Sequence, residues 1–150
     1  MIHMNKNSRL WYLSGGMTKF GADKFDESNN WRKEIKDLIE DMSDGQILLC
    51  NPNEHYSMLT DPAEFTDREA MNIDIYKLRQ SELVIYCNND PYSRGSMIEL
   101  GIAYQLGLPI LVLNDIQEEI HPWVRELAQM VFTNRLDLIR YLKDHYMCID

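Results

Sequence analysis

The chain has 150 residues, 45% of them apolar and 26% charged, with a formal net charge of −9. That length suits one domain, 1–150, large enough to bury roughly two-thirds of its extended surface. The negative charge argues against polymeric nucleic acid and anionic membranes as partners. No stretch approaches the roughly 18 consecutive apolar residues of a membrane span, and the first residues predict no secretion signal.

The elements follow in chain order. Leu10-Trp11-Tyr12-Leu13 is predicted as a strand, ended by Ser14-Gly15-Gly16. Residues 17–29 read as loop. Trp31, Ile35, Leu38, Ile39 and Met42 recur at helical spacing, with Asp44-Gly45 as the stop. Gln46 to Cys50 is a second strand, ended by Asn51-Pro52-Asn53. A long loop reaches about Phe65, and Thr66 or Asp67 is placed to cap a helix that runs to about Ser81. Leu83 to Cys87 is the third strand, and a helix follows from about Ser96 to Leu106. Ile110 to Leu113 is the fourth strand, Pro122 to Gln129 is helical, and Met130-Val131-Phe132 is a short fifth strand. Leu136, Ile139, Leu142 and Tyr146 mark the last helix.

Strands that are continuous apolar runs, alternating with helices, predict a parallel sheet covered on both faces. Right-handed crossovers make it an α/β, doubly wound, Rossmann- or flavodoxin-like sheet of five strands. Ligands of such sheets bind beyond the carboxyl ends of the strands. Those ends are Ser14-Gly15-Gly16, Asn51-Pro52-Asn53 and Asn88 to Gly95, all rich in Gly, Asn or Ser.

Two acids stand out. Glu99 interrupts a segment apolar almost all round (Met97, Ile98, Leu100, Ile102, Ala103, Leu106), which predicts a central, buried helix. A carboxylate there costs several kcal/mol unless paired or solvated by a pocket. A solvent-facing Glu at the sheet edge is the other reading; the pocket-mouth carboxylate is preferred. Asp74 shares a stripe with Met71, Ile75 and Leu78, so it is expected to be partly buried. Burial raises a carboxyl pKa, as suits a proton donor, although a structural Asp held by loop N–H groups also fits. Two carboxylates in different environments beside a Gly/Ser turn suggest glycosidic chemistry.

Other chemistries fare worse. His3, His55, His121 and His145 have no metal-ligand spacing and read as surface or loop residues, so no metal is expected. Cys50, Cys87 and Cys148 are far apart. Cys50 and Cys87 end apolar runs and read as buried thiols in a reducing, cytoplasmic setting. The Ser14-Gly15-Gly16 turn lacks both the downstream Gly-Lys-Ser/Thr of ATP-binding loops and the Gly-x-Gly-x-x-Gly of dinucleotide folds.

Over residues 9–114 the chain resembles the nucleoside 2-deoxyribosyltransferase-like superfamily, which includes the 2'-deoxynucleoside 5'-phosphate N-hydrolases. The resemblance rests on Tyr12-Leu13-Ser14-Gly15-Gly16-Met17-Thr18, on Asp74, and on Ser93-x-Gly95-x-x-x-Glu99-Leu100-Gly101-x-Ala103. The opening motif and the Ser-Arg-Gly stretch look most like an uncharacterised phage and bacterial branch. The resemblance implies that Glu99 is a nucleophile on C1', that Tyr12 orients it, and that Asp74 assists departure of the base. No cofactor is implied. Homodimers or larger homo-oligomers are, with Trp123 and the Tyr146-Met147-Cys148-Ile149 end as candidate contacts; a core face of the last helix explains that end equally well. Six residues before the nucleophile, the transferases commonly carry an Asp and the nucleotide hydrolases a Ser; here it is Ser93. A hydroxyl beside helix N–H groups donates to a phosphate, which an Asp would repel.

The resemblance therefore implies an N-glycosidase of nucleoside 5'-monophosphates. Ser14, Gly15, Gly16, Met17, Thr18, Ser93, Arg94 and Gly95 would line the substrate, with Arg94 either on the phosphate or in solvent. Base exchange between nucleosides, or a non-catalytic nucleotide-sensing module, are the rival readings. The sequence departs from the hydrolases in carrying Lys19 where they have a nearby Arg. Its spacing from Asp74 to Ser93 also differs by one residue. The 51–65 loop, with His55 and Tyr56, is expected to shape the base pocket.

Overall fold

The computed structural model describes residues 9–16, 25–52 and 66–147. The elements are β1 (Arg9–Gly15), α1 (Phe25–Met42), β2 (Ile47–Cys50), α2 (Asp67–Gln80), β3 (Leu83–Cys87), α3 (Arg94–Gln105), β4 (Ile110–Leu113), α4 (Pro122–Leu127), β5 (Met130–Phe132) and α5 (Arg135–His145). The five strands form one parallel sheet in the order β2-β1-β3-β4-β5. This is the expected doubly wound α/β arrangement, with its switch point between β1 and β3. None of the described helices is long and apolar enough to cross a membrane.

The period of two along each strand divides the core. Trp11 and Leu13 of β1 join Trp31, Ile35 and Ile39 of α1 and Leu138 and Leu142 of α5 on one face of the sheet. Tyr12 turns to the other face, among Leu78 of α2, Leu100 and Ala103 of α3, and Val124 of α4. Each fully buried leucine or isoleucine among them contributes roughly 1.5–3 kcal/mol of apolar transfer. The same alternation sends Ser14 with Tyr12 toward α2 and α3, while position 15 faces α1. An added Cβ on Gly15 would meet Trp31 at 2.8 Å.

The helix ends follow local chemistry. Thr66 caps α2, its side chain accepting from the Glu69 N–H. His121, exposed, caps α4. The stop after α1 is the predicted one: Asp44 (φ 52°) and Gly45 (φ 74°) both take the left-handed conformation.

Two expectations are corrected. The loop read over residues 17–29 gives way to helix from Phe25; polar pairing carries this turn where apolar periodicity is lacking, with Asn51 Nδ2 donating to Asn29 Oδ1 at 2.8 Å. The helix at Glu99 is not buried all round. Ile98, Tyr104 and Leu106 are exposed, because the sheet covers only the face that carries Ser96, Leu100 and Ala103. At the C-terminal end Met147 packs into the core, as the core-face reading of that end required. Cys148 and Ile149 lie outside the described residues. Trp123 is exposed, and Cys50 and Cys87 are buried free thiols.

Candidate active site

The carboxyl ends of β1 and β3 lie side by side, with Ser14 paired to Tyr86 and Gly15 to Cys87. Beyond them the β3–α3 loop is held by its own polar residues. Tyr86 donates to Asn88 Oδ1, and Asn88 Nδ2 donates to Asn114 Oδ1, both at 3.0 Å. Ser93 ends the loop as the N-cap of α3. Its hydroxyl accepts from the Ser96 N–H and lies 2.9 Å from the Ser96 hydroxyl.

A cleft of about 210 Å³ opens at this switch point. Asp74 and Glu99 line it, with Gly15, Ser93, Gly95 and Ser96 around the start of α3 and Met71, Ile75 and Ile98 as apolar walls. Six of the anticipated site residues thus meet: Asp74, Glu99, Gly15, Ser93 and Gly95 in the lining, and Ser14 through its bond to Glu99. Arg94 opens α3 and is exposed. Met17, Thr18 and Lys19, and the 53–65 part of the loop with His55 and Tyr56, lie outside the described residues.

Glu99 is the centre of the arrangement. Ser14 Oγ donates to its Oε1 at 3.2 Å. The Tyr12 hydroxyl and Glu99 Oε2 are both buried and complete no bond of standard geometry, yet the two side chains interact as donor and acceptor. Burial pushes the Glu99 carboxyl up from 4.5 to about 7. The Tyr12 and Ser14 donors and the Arg32 charge oppose that rise, while the negative Asp74 adds to it. Glu99 is thereby poised near neutrality. Burial, reinforced by Glu99 and Asp74, pushes the Tyr12 phenol far up, so it acts only as a donor.

Of Ser14-Gly15-Gly16, read as a turn, Ser14 and Gly15 form the extended end of β1, and the segment is engaged within the protein. The Gly16 N–H donates to Asn89 Oδ1 at 2.8 Å, and Asn89 Nδ2 donates to the Gly16 carbonyl at 3.3 Å. The Gly15 carbonyl accepts from Arg32 Nη2 at 2.8 Å. With the Ser96 N–H on Ser93 and the Met97 N–H on the Ser93 carbonyl, the N–H groups of Arg94 and Gly95 open the N-terminus of α3.

Sequence reasoning missed Asn89, Ser96, Arg32 and the apolar wall. Ser96 carried a signal, lying three residues after a capping Ser. Arg32 carried none, because an Arg followed by Lys33 and Glu34 reads as surface.

No protein-family model and no curated protein sequence matches the chain. Solved structures do. A conserved protein from Enterococcus faecalis V583 superimposes with a TM-score of 0.74 at 16% identity, over 91% of this chain and 98% of that one. A 2-deoxyribosyltransferase from Bacillus psychrosaccharolyticus gives 0.66 at 16% identity, over 86% and 89%. A CMP N-glycosidase from Clostridium botulinum gives 0.59 at 19% identity, over 91% and 99%. The chain has the fold these structures share, as the sequence resemblance implied.

Proposed function

We propose that this protein is an enzyme, an N-glycosidase of the nucleoside 2-deoxyribosyltransferase-like superfamily that hydrolyses (deoxy)nucleoside 5'-monophosphates to free base and sugar 5-phosphate. The observation that carries the proposal is Glu99. It is a carboxylate half-buried in a cleft, held by Ser14 and Tyr12, with Asp74 on the facing helix. Similarity in fold to a CMP N-glycosidase and a 2-deoxyribosyltransferase supports it.

In this reading Glu99 attacks C1' through an oxocarbenium-like transition state, and the electron pair of the C1'–N bond leaves with the base. Tyr12 and Ser14 fix the carboxylate so that one oxygen faces the sugar. Asp74 protonates, or hydrogen-bonds to, the departing base. Water then cleaves the glycosyl ester and regenerates Glu99. Met71, Ile75 and Ile98 form an apolar wall for a flat base. The phosphate lies at the start of α3, on the Ser93 hydroxyl and the Arg94 and Gly95 N–H groups, rather than on the Gly16 N–H that Asn89 occupies. The chemistry needs no redox cofactor. A homo-oligomer, with the exposed Trp123 as a candidate contact, and a cytoplasmic location belong to the same proposal.

The second reading is base exchange, favoured by the fold it shares with the 2-deoxyribosyltransferase. Ser93 in place of an acid favours hydrolysis of a phosphate-bearing substrate. Mass-spectrometric screening of a nucleotide panel for released base tests the proposal, with Glu99→Gln as control. Addition of a second free base separates the two activities: sugar phosphate alone means hydrolysis, and a new nucleoside means transfer. Full turnover by Glu99→Gln excludes both. Thermal stabilisation by a nucleotide with no base released over hours identifies a binding module instead.

A further inference from the structure

Arg32 is the most deeply buried cation among the described residues, 1% exposed and carried by α1, which packs on the opposite face of the sheet from α2 and α3. Its guanidinium lies 4.8 Å from the centre of the Trp31 ring, and its Nη2 donates to the Gly15 carbonyl at 2.8 Å. Position 15 has no room for a side chain: a Cβ there would lie 2.8 Å from Trp31 Cζ2 and 3.2 Å from Arg32 Nη2. Gly15 is therefore the point where the cation closes on the end of β1. The preceding residue, Ser14, turns its hydroxyl the other way, onto Glu99.

Burying a guanidinium costs several kcal/mol unless negative charge and hydrogen bonds compensate, and an apolar side chain of similar size often serves packing as well or better. The compensation here comes from the cleft. Burial lowers the Arg32 pKa to about 10, and the negative partners that resist this are headed by Glu99. Arg32 thus remains charged at neutral pH.

We infer that Arg32 is a positioning residue of the cleft: it clamps the Gly15 carbonyl so that the Ser14 hydroxyl meets Glu99, and it supplies positive charge to that carboxylate from behind the strand. The inference rests on the reading of Glu99 as the nucleophile. The groups facing Glu99 are Tyr12 and Ser14 from β1, Asp74 from α2 and Arg32 from α1. Asp74 opposes ionisation of Glu99; Arg32 is the cation that offsets it. The nearby Cys87 thiol is pushed up to about 12 by burial and adds no charge below that pH. Arg94, at the start of the same helix, is exposed.

The test is a titration of substrate-free protein carrying ¹³C-labelled glutamate, with the Glu99 signal assigned by its loss in Glu99→Gln. Wild-type Glu99 is expected to titrate near pH 7. Arg32→Met removes the charge at nearly constant volume, and Arg32→Gln removes it while keeping a donor for the Gly15 carbonyl. Either is expected to raise the Glu99 midpoint by about one pH unit, and to move the acid limb of kcat/KM upward by the same amount. Arg32→Lys keeps the charge and is expected to return the midpoint most of the way to wild type. Circular dichroism and thermal melting select folded variants. A folded neutral variant whose Glu99 midpoint matches wild type overturns the inference. So does an Arg32→Lys variant that shifts as far as the neutral ones. Base release with an unmoved midpoint retains the proposed reaction and discards the role of Arg32. A moved midpoint with no base release from any nucleotide discards the reaction instead.

Discussion

Ser14 and Glu99 stand 85 residues apart in sequence and meet at 3.2 Å, the hydroxyl donating to the carboxylate. A strand end and the second turn of a helix thereby share one hydrogen bond at the switch point of the sheet. A bond from a neutral donor to a charged acceptor is worth about 1.5–3 kcal/mol. Ser14→Ala is therefore expected to lower kcat/KM for base release about 10- to 100-fold and to raise the pH at which activity appears. Steady-state rates across pH check both. An unchanged profile would show that the bond plays no part in catalysis.

Burial holds the Glu99 carboxyl up at about 7, against an ordinary 4.5. Since the nucleophile must be ionised, kcat/KM is expected to rise with pH through about 7. The effect on stability has the opposite sign. A raised folded-state pKa means that the native protein holds the proton more tightly than the unfolded chain. Stability is then greatest below pH 4.5 as far as this group is concerned, and declines as pH climbs from 4.5 through 7. The difference is on the order of 3 kcal/mol. Glu99→Gln removes that decline, so denaturant melts of the variant and the wild type should diverge at pH 8 and converge near pH 5.

Tyr12 is 0% exposed, and its phenol is held far above its ordinary pKa. It keeps its proton, and so remains a hydrogen-bond donor, at any pH the fold tolerates. Tyr12→Phe keeps the ring in the core and deletes the donor. The expected result is a fall in kcat with KM nearly unchanged, and an acid limb displaced upward, because one of the bonds favouring ionised Glu99 is gone. A rise in KM at constant kcat would assign Tyr12 to substrate binding instead.

The elements were legible wherever an apolar run or stripe had a clear period. β1, β3 and β4 fell where Leu10–Leu13, Leu83–Cys87 and Ile110–Leu113 placed them. Asp74 and Glu99 stood out because acids interrupt those patterns, whereas Tyr12, inside an apolar run, was singled out only through the resemblance. Two features escaped, for one reason. The first turns of α1 and the role of Arg32 depend on polar contacts between distant residues: Asn29 with Asn51, and Arg32 with Gly15. Such pairs leave no period in the chain. The expected burial of α3 failed the other way. Ile98, Tyr104 and Leu106 are apolar without being covered by the sheet, and local sequence does not say how many layers lie above a helix.

Gly16 tests the backbone of the turn independently of catalysis. An added Cβ would lie 2.5 Å from Asp90 Cβ, and Asn89 holds the residue by both its N–H and its carbonyl. Asp90 is itself buried and accepts from the Tyr92 N–H, so it has little freedom to retreat. Gly16→Ala is expected to destabilise the protein by about 1–3 kcal/mol, the usual range for overpacking. Chemical denaturation measures it directly.

Ser93 offers the sharpest test of substrate class, because its two roles separate under one substitution. As the N-cap of α3 it accepts from the Ser96 N–H, and Asp caps helices as well as Ser does. Ser93→Asp should therefore fold with nearly wild-type stability. At the cleft the new carboxylate would stand beside the Arg94 and Gly95 N–H groups, where the proposal puts the 5'-phosphate. Like charges at that range repel, and the two anions would compete for the same donors. The expected outcome is a KM for nucleoside 5'-monophosphates raised at least about 10-fold, equivalent to roughly 1.4 kcal/mol, with little change for the corresponding nucleosides. Equal losses for both substrates would mean that position 93 shapes the sugar or base end of the cleft. A nucleotide KM left where it was would move the phosphate away from α3 altogether.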